Sequence, residues 1–343
     1  MEKKIIMETQ KVYYPHLDVL KGIAILLMVM GHVIPWTLNQ PFLHKPMMEL
    51  NGNELYLSLL YKIIYSFHMP LLFFVSGYLF FKPTAYDCEQ VKSIINKRIS
   101  RILIPYLATG SLLLISRGHW GYWFLQCLFC MNVMVAFMLY LIGRFKFDLR
   151  KELALYALVG VGLFLFSKVC KSLETDTFGV VVIGRLFTYY PTFMLGLLMS
   201  KYIRLREFLK NQYVVFGCFV LYIVAFILSE RQIPVLSFIS SVLLPITMIL
   251  YLNQLVLRNA NMMGGVIAYV GKNSMEVYIL HSFFVIVFKE VGSYMLTLDS
   301  LVTCVSFQLV YSFFLSIVAI TLSILVAEFL KGSAILKRLL FGL

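Results

Sequence analysis

The stretch HLDVLKGIAILLMVMGH, residues 16–32, has a lysine near its start and a histidine at its end, with mostly apolar residues between them. A charge at the centre of a bilayer costs about 2.5–3.5 kcal/mol on insertion scales, so an ionisable group in such a helix faces a cavity, a partner or the interface. Lys21 and His32 are eleven residues apart, roughly 16 Å along a helix and about three full turns, so they project from nearly one face. Asp18 lies one turn before Lys21, within ion-pair reach. Two more apolar stretches contain histidine: YSFHMPLLFFVSGYLFF places His68 beside Pro70, which removes a helix hydrogen bond, and NSMEVYILHSFF holds Glu276 and His281. His32, His68 and His281 are expected at similar depth on three spans. Imidazole titrates near neutrality and suits a general base or a proton relay. A three-histidine metal site is chemically open, but no two of these histidines stand four apart, and we assign no metal.

Plainer readings stand beside these. Lys21 can snorkel to the interface with Asp18 as its counter-ion, and His32 can bond a neighbouring helix. In KSIINKRISRILIPYL, Arg98 and Arg101 share a helix face where the chain enters the membrane, as a positive-inside anchor or as a phosphate clamp. Trp120 and Trp123, in HWGYWFLQ, suit either an interfacial belt or a stacking surface for a sugar ring. Cys127 and Cys130 have the spacing of a metal pair, but they lie in an apolar run without a second pair and are read as packing residues.

The elements that must position these groups are membrane helices. The chain of 343 residues is 60% hydrophobic and only 14% charged, and its mean hydropathy is +0.84. Apolar runs of about 20 residues, enough to cross about 30 Å of hydrocarbon, recur along it. We read about ten spans, near residues 17–38, 56–81, 102–116, 121–143, 152–167, 178–200, 213–229, 234–257, 265–289 and 301–330. The third and fifth are short and the last is long. The net charge of +13 is spread in short basic groups between spans, which argues against nucleic acid as partner and for topology signals and lipid or phosphate anchors. Lys3, Lys4 and Lys11, the Lys92–Arg101 segment, Arg144–Lys151, Lys201–Lys210, Arg258 with Lys272, and Lys331–Arg338 all fall on one side of this alternation. The weakly charged segments, including RGHWG, Lys168–Asp176 and SERQIP, fall on the other. The positive-inside rule then puts both termini in the cytoplasm. The opening MEKKIIMETQK mimics a secretory leader without a small-residue cleavage site, and is read as leading into an uncleaved first span. The expected organisation is all-α, one polytopic bundle over residues 1–343, with no appended soluble domain.

In order along the chain, LDVLKGIAILLMVMGH, FHMPLLFFVSGYLF, KRISRILIPYL, WFL at Trp123–Leu125 and VYILH resemble the motifs of the acyltransferase family 3 membrane proteins. Lysine at the head of the first motif and the FHMPL wording resemble the subgroup that acetylates surface polysaccharides, including fucose 4-O-acetylase-like and intercellular-adhesin-type proteins. The resemblance implies transfer of an acyl group, most often acetyl, from cytoplasmic acyl-CoA to a hydroxyl of an extracytoplasmic or lipid-linked glycan across a bacterial inner membrane. It implies His32 as general base or transient acyl carrier, with Lys21 and Asp18 beside it, and Arg98, Arg101 and Lys21 on the acyl-CoA. His68, Glu276, His281 and Trp123 are supporting candidates. Acyl-CoA is then a substrate, and no permanently bound cofactor is implied. Many relatives add an extracytoplasmic esterase-like domain; without one, the bundle must transfer the group itself or pass it to a separate protein. A transporter or flippase of an envelope polysaccharide would share the broken helices and buried ionisable groups. Against that reading, the motifs crowd into the first third of the chain.

Overall fold

The computed structural model describes residues 14–117, 121–172, 178–230, 233–263 and 265–343. Lys3, Lys4, Lys11 and Trp120 lie outside the described residues, as do residues 173–177 and 231–232 of two predicted loops. The described residues form helices and no strand: α1 (Pro15–Leu38), α2 (Asn53–Phe80), α3 (Cys88–Arg98), α4 (Ile104–Arg117), α5 (Trp123–Arg144), α6 (Leu149–Ser172), α7 (Phe178–Lys201), α8 (Ile203–Phe208), α9 (Gln212–Ser229), α10 (Pro234–Met263), α11 (Val266–Lys272), α12 (Ser274–Phe284), α13 (Lys289–Met295), α14 (Leu301–Lys331) and α15 (Ala334–Phe341). Eight helical segments among the described residues are long and apolar enough to cross a membrane, so the chain is an all-α, multi-pass membrane protein. One of the eight, residues 88–116, joins α3 to α4 through a π-helical turn, Ile99–Leu103.

Two of the ten expected stretches are not among those eight. Residues 178–200 lie within the 24-residue helix α7. Residues 265–289 do not form one helix, which corrects the ninth expected span. Asn273 leaves helical geometry at φ −95° and ψ 24°, and its side-chain amide donates to the Tyr269 carbonyl at 3.0 Å. Asn competes with the helix in this way through local side-chain bonds. α12 then ends at Phe284, and residues 285–288 are irregular. The third and fifth spans exceed the expected lengths, the third because the π turn lets α3 run on into α4, the fifth because α6 covers 24 residues.

α1 is the hub, packed against α2, α10, α11, α13 and α14. Pro15 starts it at a position that needs no N–H, and Asn39 closes it in the left-handed region at φ 47°, its N–H bonded to the Pro35 carbonyl at 2.8 Å. Glycines set the closest helix contacts. A Cβ on Gly271 would strike the Asp18 carbonyl, and one on Gly22 the Ile267 carbonyl, so α1 and α11 meet backbone to backbone. α2 and α7 repeat the device with Gly77 against the Phe193 carbonyl and Gly196 against that of Phe74. Small residues drive helix association in lipid, where apolar area gives no gain.

Each carboxylate in the buried interior among the described residues is paired with a lysine: Asp18 with Lys21 at 2.6 Å, Glu152 with Lys201 at 2.5 Å and Glu276 with Lys331 at 2.8 Å. Lys331 also reaches Asn273, and Gly342 lies on the Arg101 backbone. The first and last described residues therefore lie at the Lys21 end of the bundle. Outside the spans, Arg206 on α8 donates to the Tyr78 hydroxyl at 3.1 Å, and this bond holds its pKa above the usual guanidinium value.

Gly271→Val should lower the melting temperature of the detergent-purified protein sharply, because overpacking costs about 1–3 kcal/mol even where side chains can yield, and here the obstacle is backbone. Gly162→Ala, where a Cβ meets nothing within 4 Å, should leave it unchanged.

Candidate active site

His32, His68 and His281 surround one cavity of about 270 Å³, walled also by Trp123, Tyr189 and Tyr278. α1 brings His32, α2 brings His68 and α12 brings His281. α12 is held in place partly by α5, whose preceding Tyr122 donates its hydroxyl to the Ile279 carbonyl at 2.6 Å. The His32 ring stacks on His281, centroids 5.2 Å apart and planes 25° apart, and lies 5.4 Å from Trp36 on its other neighbour.

The three imidazoles are not equivalent. His68 bonds the Ile64 carbonyl through Nδ1 at 2.8 Å. His281 bonds the Val277 and Tyr278 carbonyls through Nδ1 at 3.0 and 2.9 Å. A carbonyl only accepts, so Nδ1 carries the proton in both, and in the neutral ring Nε2 is the acceptor. His32 makes no hydrogen bond among the described residues. It is half-buried and lines the cavity. Among the described residues, no three metal-ligating side chains converge on one point.

Lys21 opens into a second, smaller cavity of about 120 Å³, with Ser76, Ile102, Ser274 and Met275 in its wall. Tyr278 lines this chamber and the histidine cavity alike. A separate cleft of about 640 Å³ is lined by Lys92, Lys97 and Arg101, with Glu89 as its acid. Within the π turn, Arg101 lines the cleft and its neighbour Ile102 the Lys21 chamber. π-bulges inside helices are frequent at functional sites for this kind of re-aiming.

Residues 14–328 match the family model of acyltransferase family 3, described as an acyltransferase domain. The chain belongs to that family. This acyltransferase is also similar to Nodulation protein NolL of Sinorhizobium fredii (strain NBRC 101917 / NGR234), 28% identical over 204 residues. That alignment covers 54% of this chain and 48% of NolL, so it spans about half the length of the curated relative. No solved structure matches it.

Of the residues singled out in the acyltransferase sequence, the structure gathers His32, His68, His281 and Trp123 around one cavity and sets Lys21 in the wall of the next, where it pairs with Asp18. Arg98 and Arg101 do not form one fork. Arg98 is half-buried, its guanidinium 5.5 Å from the centroid of the Phe80 ring, and Arg101 faces the cleft. Glu276 is turned away from the histidines to Lys331. Five residues on a helix span about 500°, which puts Glu276 and His281 on different faces. Trp123 is no belt residue: Arg185 lies 4.3 Å over its ring and Tyr189 stacks 5.5 Å from it. Sequence reasoning missed Tyr65, Tyr189 and Tyr278. Tyr65 and Tyr278 each precede a site histidine by three, a helix-face signal that was there to be read.

If Glu276 is structural, Glu276→Gln and Lys331→Met should each destabilise the protein by about 3–5 kcal/mol, the cost of stranding one buried charge, and the double variant should recover most of the loss. Chemical denaturation of the four proteins measures this.

Proposed function

We propose that this acyltransferase moves a short acyl group, acetyl foremost, from acyl-CoA to a hydroxyl of an extracytoplasmic or lipid-linked surface glycan, in a bacterial inner membrane with both termini in the cytoplasm. The observation that supports it most is the position of His32: an imidazole without a hydrogen-bond partner among the described residues, stacked on a histidine of fixed tautomer, next to a chamber that begins at Lys21. The charge alternation along the sequence puts the Lys21 end at the cytoplasm, where acyl-CoA is made.

The cleft of Lys92, Lys97 and Arg101 suits the phosphates of the donor, since cationic donors at such a cleft make charge-assisted bonds to phosphate oxygens. Its pantetheine arm then runs past Ile102 and Lys21 toward Tyr278, and the thioester reaches the His32 cavity. In the direct route, His32 takes the proton of the acceptor hydroxyl as its oxygen attacks the thioester carbonyl. A C–O bond forms, the C–S bond breaks, and the proton passes from the imidazolium to the departing CoA sulfur. In the two-step route, the His32 nitrogen attacks the thioester carbonyl, a C–N bond forms and the C–S bond breaks to release CoA as thiolate. The acceptor oxygen then attacks the acyl-imidazole, a C–O bond forms as the C–N bond breaks, and the hydroxyl proton goes to the thiolate. His68 and His281 are positioning groups, with His281 fixing the His32 ring by stacking.

Membranes containing the protein, given radiolabelled acetyl-CoA and the host's deacetylated surface glycan, should yield acetylated glycan. His32→Ala should lower the rate by about 10²–10⁴, the usual contribution of a general base, with normal protein abundance. Undiminished acetylation would remove His32 from the mechanism, and glycan crossing the membrane unmodified would favour transport. Lys97→Ala with Arg101→Ala should raise the KM for acetyl-CoA about tenfold and leave the acceptor KM unchanged, because only phosphate contacts are lost.

A further inference from the structure

A third cavity lies beyond the histidines, at the Leu38 end of α1. It holds about 420 Å³ and is lined by α2, α9 and α10, within the range of about 300–1,000 Å³ typical of small-ligand sites. Tyr65 belongs to this cavity and to the histidine cavity together. Its ring lies 4.9 Å from that of His68 and 4.2 Å from that of Tyr61. Although mid-helix in a membrane span, Tyr65 is 39% exposed, and the surface it exposes is cavity wall.

The polar groups here have a definite hydrogen-bonding sense. Glu230 accepts from the Met47 backbone N–H at 2.7 Å and from the Lys62 ammonium at 3.0 Å, both through Oε2. Among the described residues nothing donates to Oε1. One oxygen of the carboxylate is thus anchored by two donors from different parts of the chain. Ser66, Ser229 and Ser241 each donate their hydroxyl proton to a carbonyl three residues back, at 2.7, 2.8 and 2.7 Å. The Ser66 oxygen in turn accepts from the Tyr222 hydroxyl at 3.0 Å, and what the Ser229 and Ser241 hydroxyls offer a ligand is lone pairs. The cavity presents several acceptors, one ammonium and three aromatic rings, those of Tyr61, Tyr65 and Phe226.

An anion such as a phosphate wants donors and would meet a carboxylate here. An acyl chain would leave the Lys62–Glu230 pair facing hydrocarbon. A molecule rich in O–H donors with an apolar C–H face satisfies both the acceptors and the tyrosine rings. We propose that the cavity of Tyr61, Lys62, Tyr65, Ser66 and Glu230 is the acceptor subsite, binding one pyranose ring of a glycan with a hydroxyl directed past Tyr65 to the histidines. This rests on the reading of the protein as a glycan acyltransferase, and it adds where the sugar sits and what recognises it. Trp123, the residue whose type first suggests sugar stacking, has its ring engaged by Arg185 and Tyr189 and does not serve as the platform.

The test measures binding without turnover. The full chain in nanodiscs, free of acyl-CoA, is titrated calorimetrically with base-deacetylated oligosaccharides released from the host's surface glycan, and separately with acetyl-CoA. Glu230→Gln and Lys62→Met should each weaken oligosaccharide binding about tenfold or more, the value of a hydrogen bond to a charged group, while acetyl-CoA affinity stays as in the wild type. Ser241→Ala, which leaves the ion pair intact, supplies a milder variant should either charge substitution unfold the protein, and it should weaken the same binding severalfold. Oligosaccharide binding that is absent from the wild type, or equal in all four proteins, overturns the subsite. Binding that behaves as expected in a protein that forms no acetylated product supports the subsite and overturns the acyl-transfer reading alone.

Discussion

Four glycines hold the helices that carry the site at backbone distance from one another. Gly22 and Gly271 lock α1 to α11, and Gly77 and Gly196 lock α2 to α7. Lipid offers no hydrophobic reward for bringing helices together, so contact area and polar bonds must do it, and carbonyl against Cα is the closest approach a helix pair can make. The consequence reaches the chemistry. α11 fixes where α12 begins, and α12 carries Tyr278 and His281; α2 carries Tyr65 and His68. A shift of an ångström in either pair would unstack His281 from His32 or reopen the wall at Tyr278.

The same pairs explain how the bundle tolerates its charges. Breaking helix α11 at Asn273 exposes polar backbone, and the break sits beside Lys331, which is bonded to Asn273, Glu276 and Glu328. Asp18, one of whose neighbours is Gly271, is neutralised by Lys21. The break at Asn273 is thus buried in protein and matched by an ion pair, the condition under which non-helical backbone survives in a membrane. Because Lys21 is bound to Asp18, the face it turns to its chamber is that of a pair, not of a bare cation.

Much of this was legible from residue type and period. Apolar length found the helices, because only a helix satisfies its own backbone in lipid. Counting turns put Lys21 and His32 on one stripe, and the structure gives them consecutive cavities. What failed did so for identifiable reasons. Arg98 and Arg101 diverge because a π turn intervenes, and nothing in ISRIL announces one. The ninth run breaks because Asn273 bonds its own backbone, an outcome hydropathy does not weigh. Glu276 was grouped with His281 by depth, although helical period alone separates their faces. Lys62 and Glu230 escaped notice, one hidden in an apolar span and one counted with a near-neutral loop, because their partnership joins residues 168 apart in sequence.

The three cavities also differ in polarity in a way that bears on direction. At the Lys21 end the open cleft is rich in donors and cations; at the Leu38 end the cavity is rich in acceptors. Under the proposed function, a phosphate-bearing donor would be favoured at the first and a polyol at the second, so that neither substrate is drawn to the other's port. Between them stand two tyrosines, Tyr278 and Tyr65, each shared by adjacent cavities. In the proposed reaction a thioester that passes the first and a hydroxyl that passes the second would meet at His32, while the bulk of each substrate stays behind on its own side. On that proposal only the acyl group need cross, and its smallness is what would let it pass between cavities as small as these.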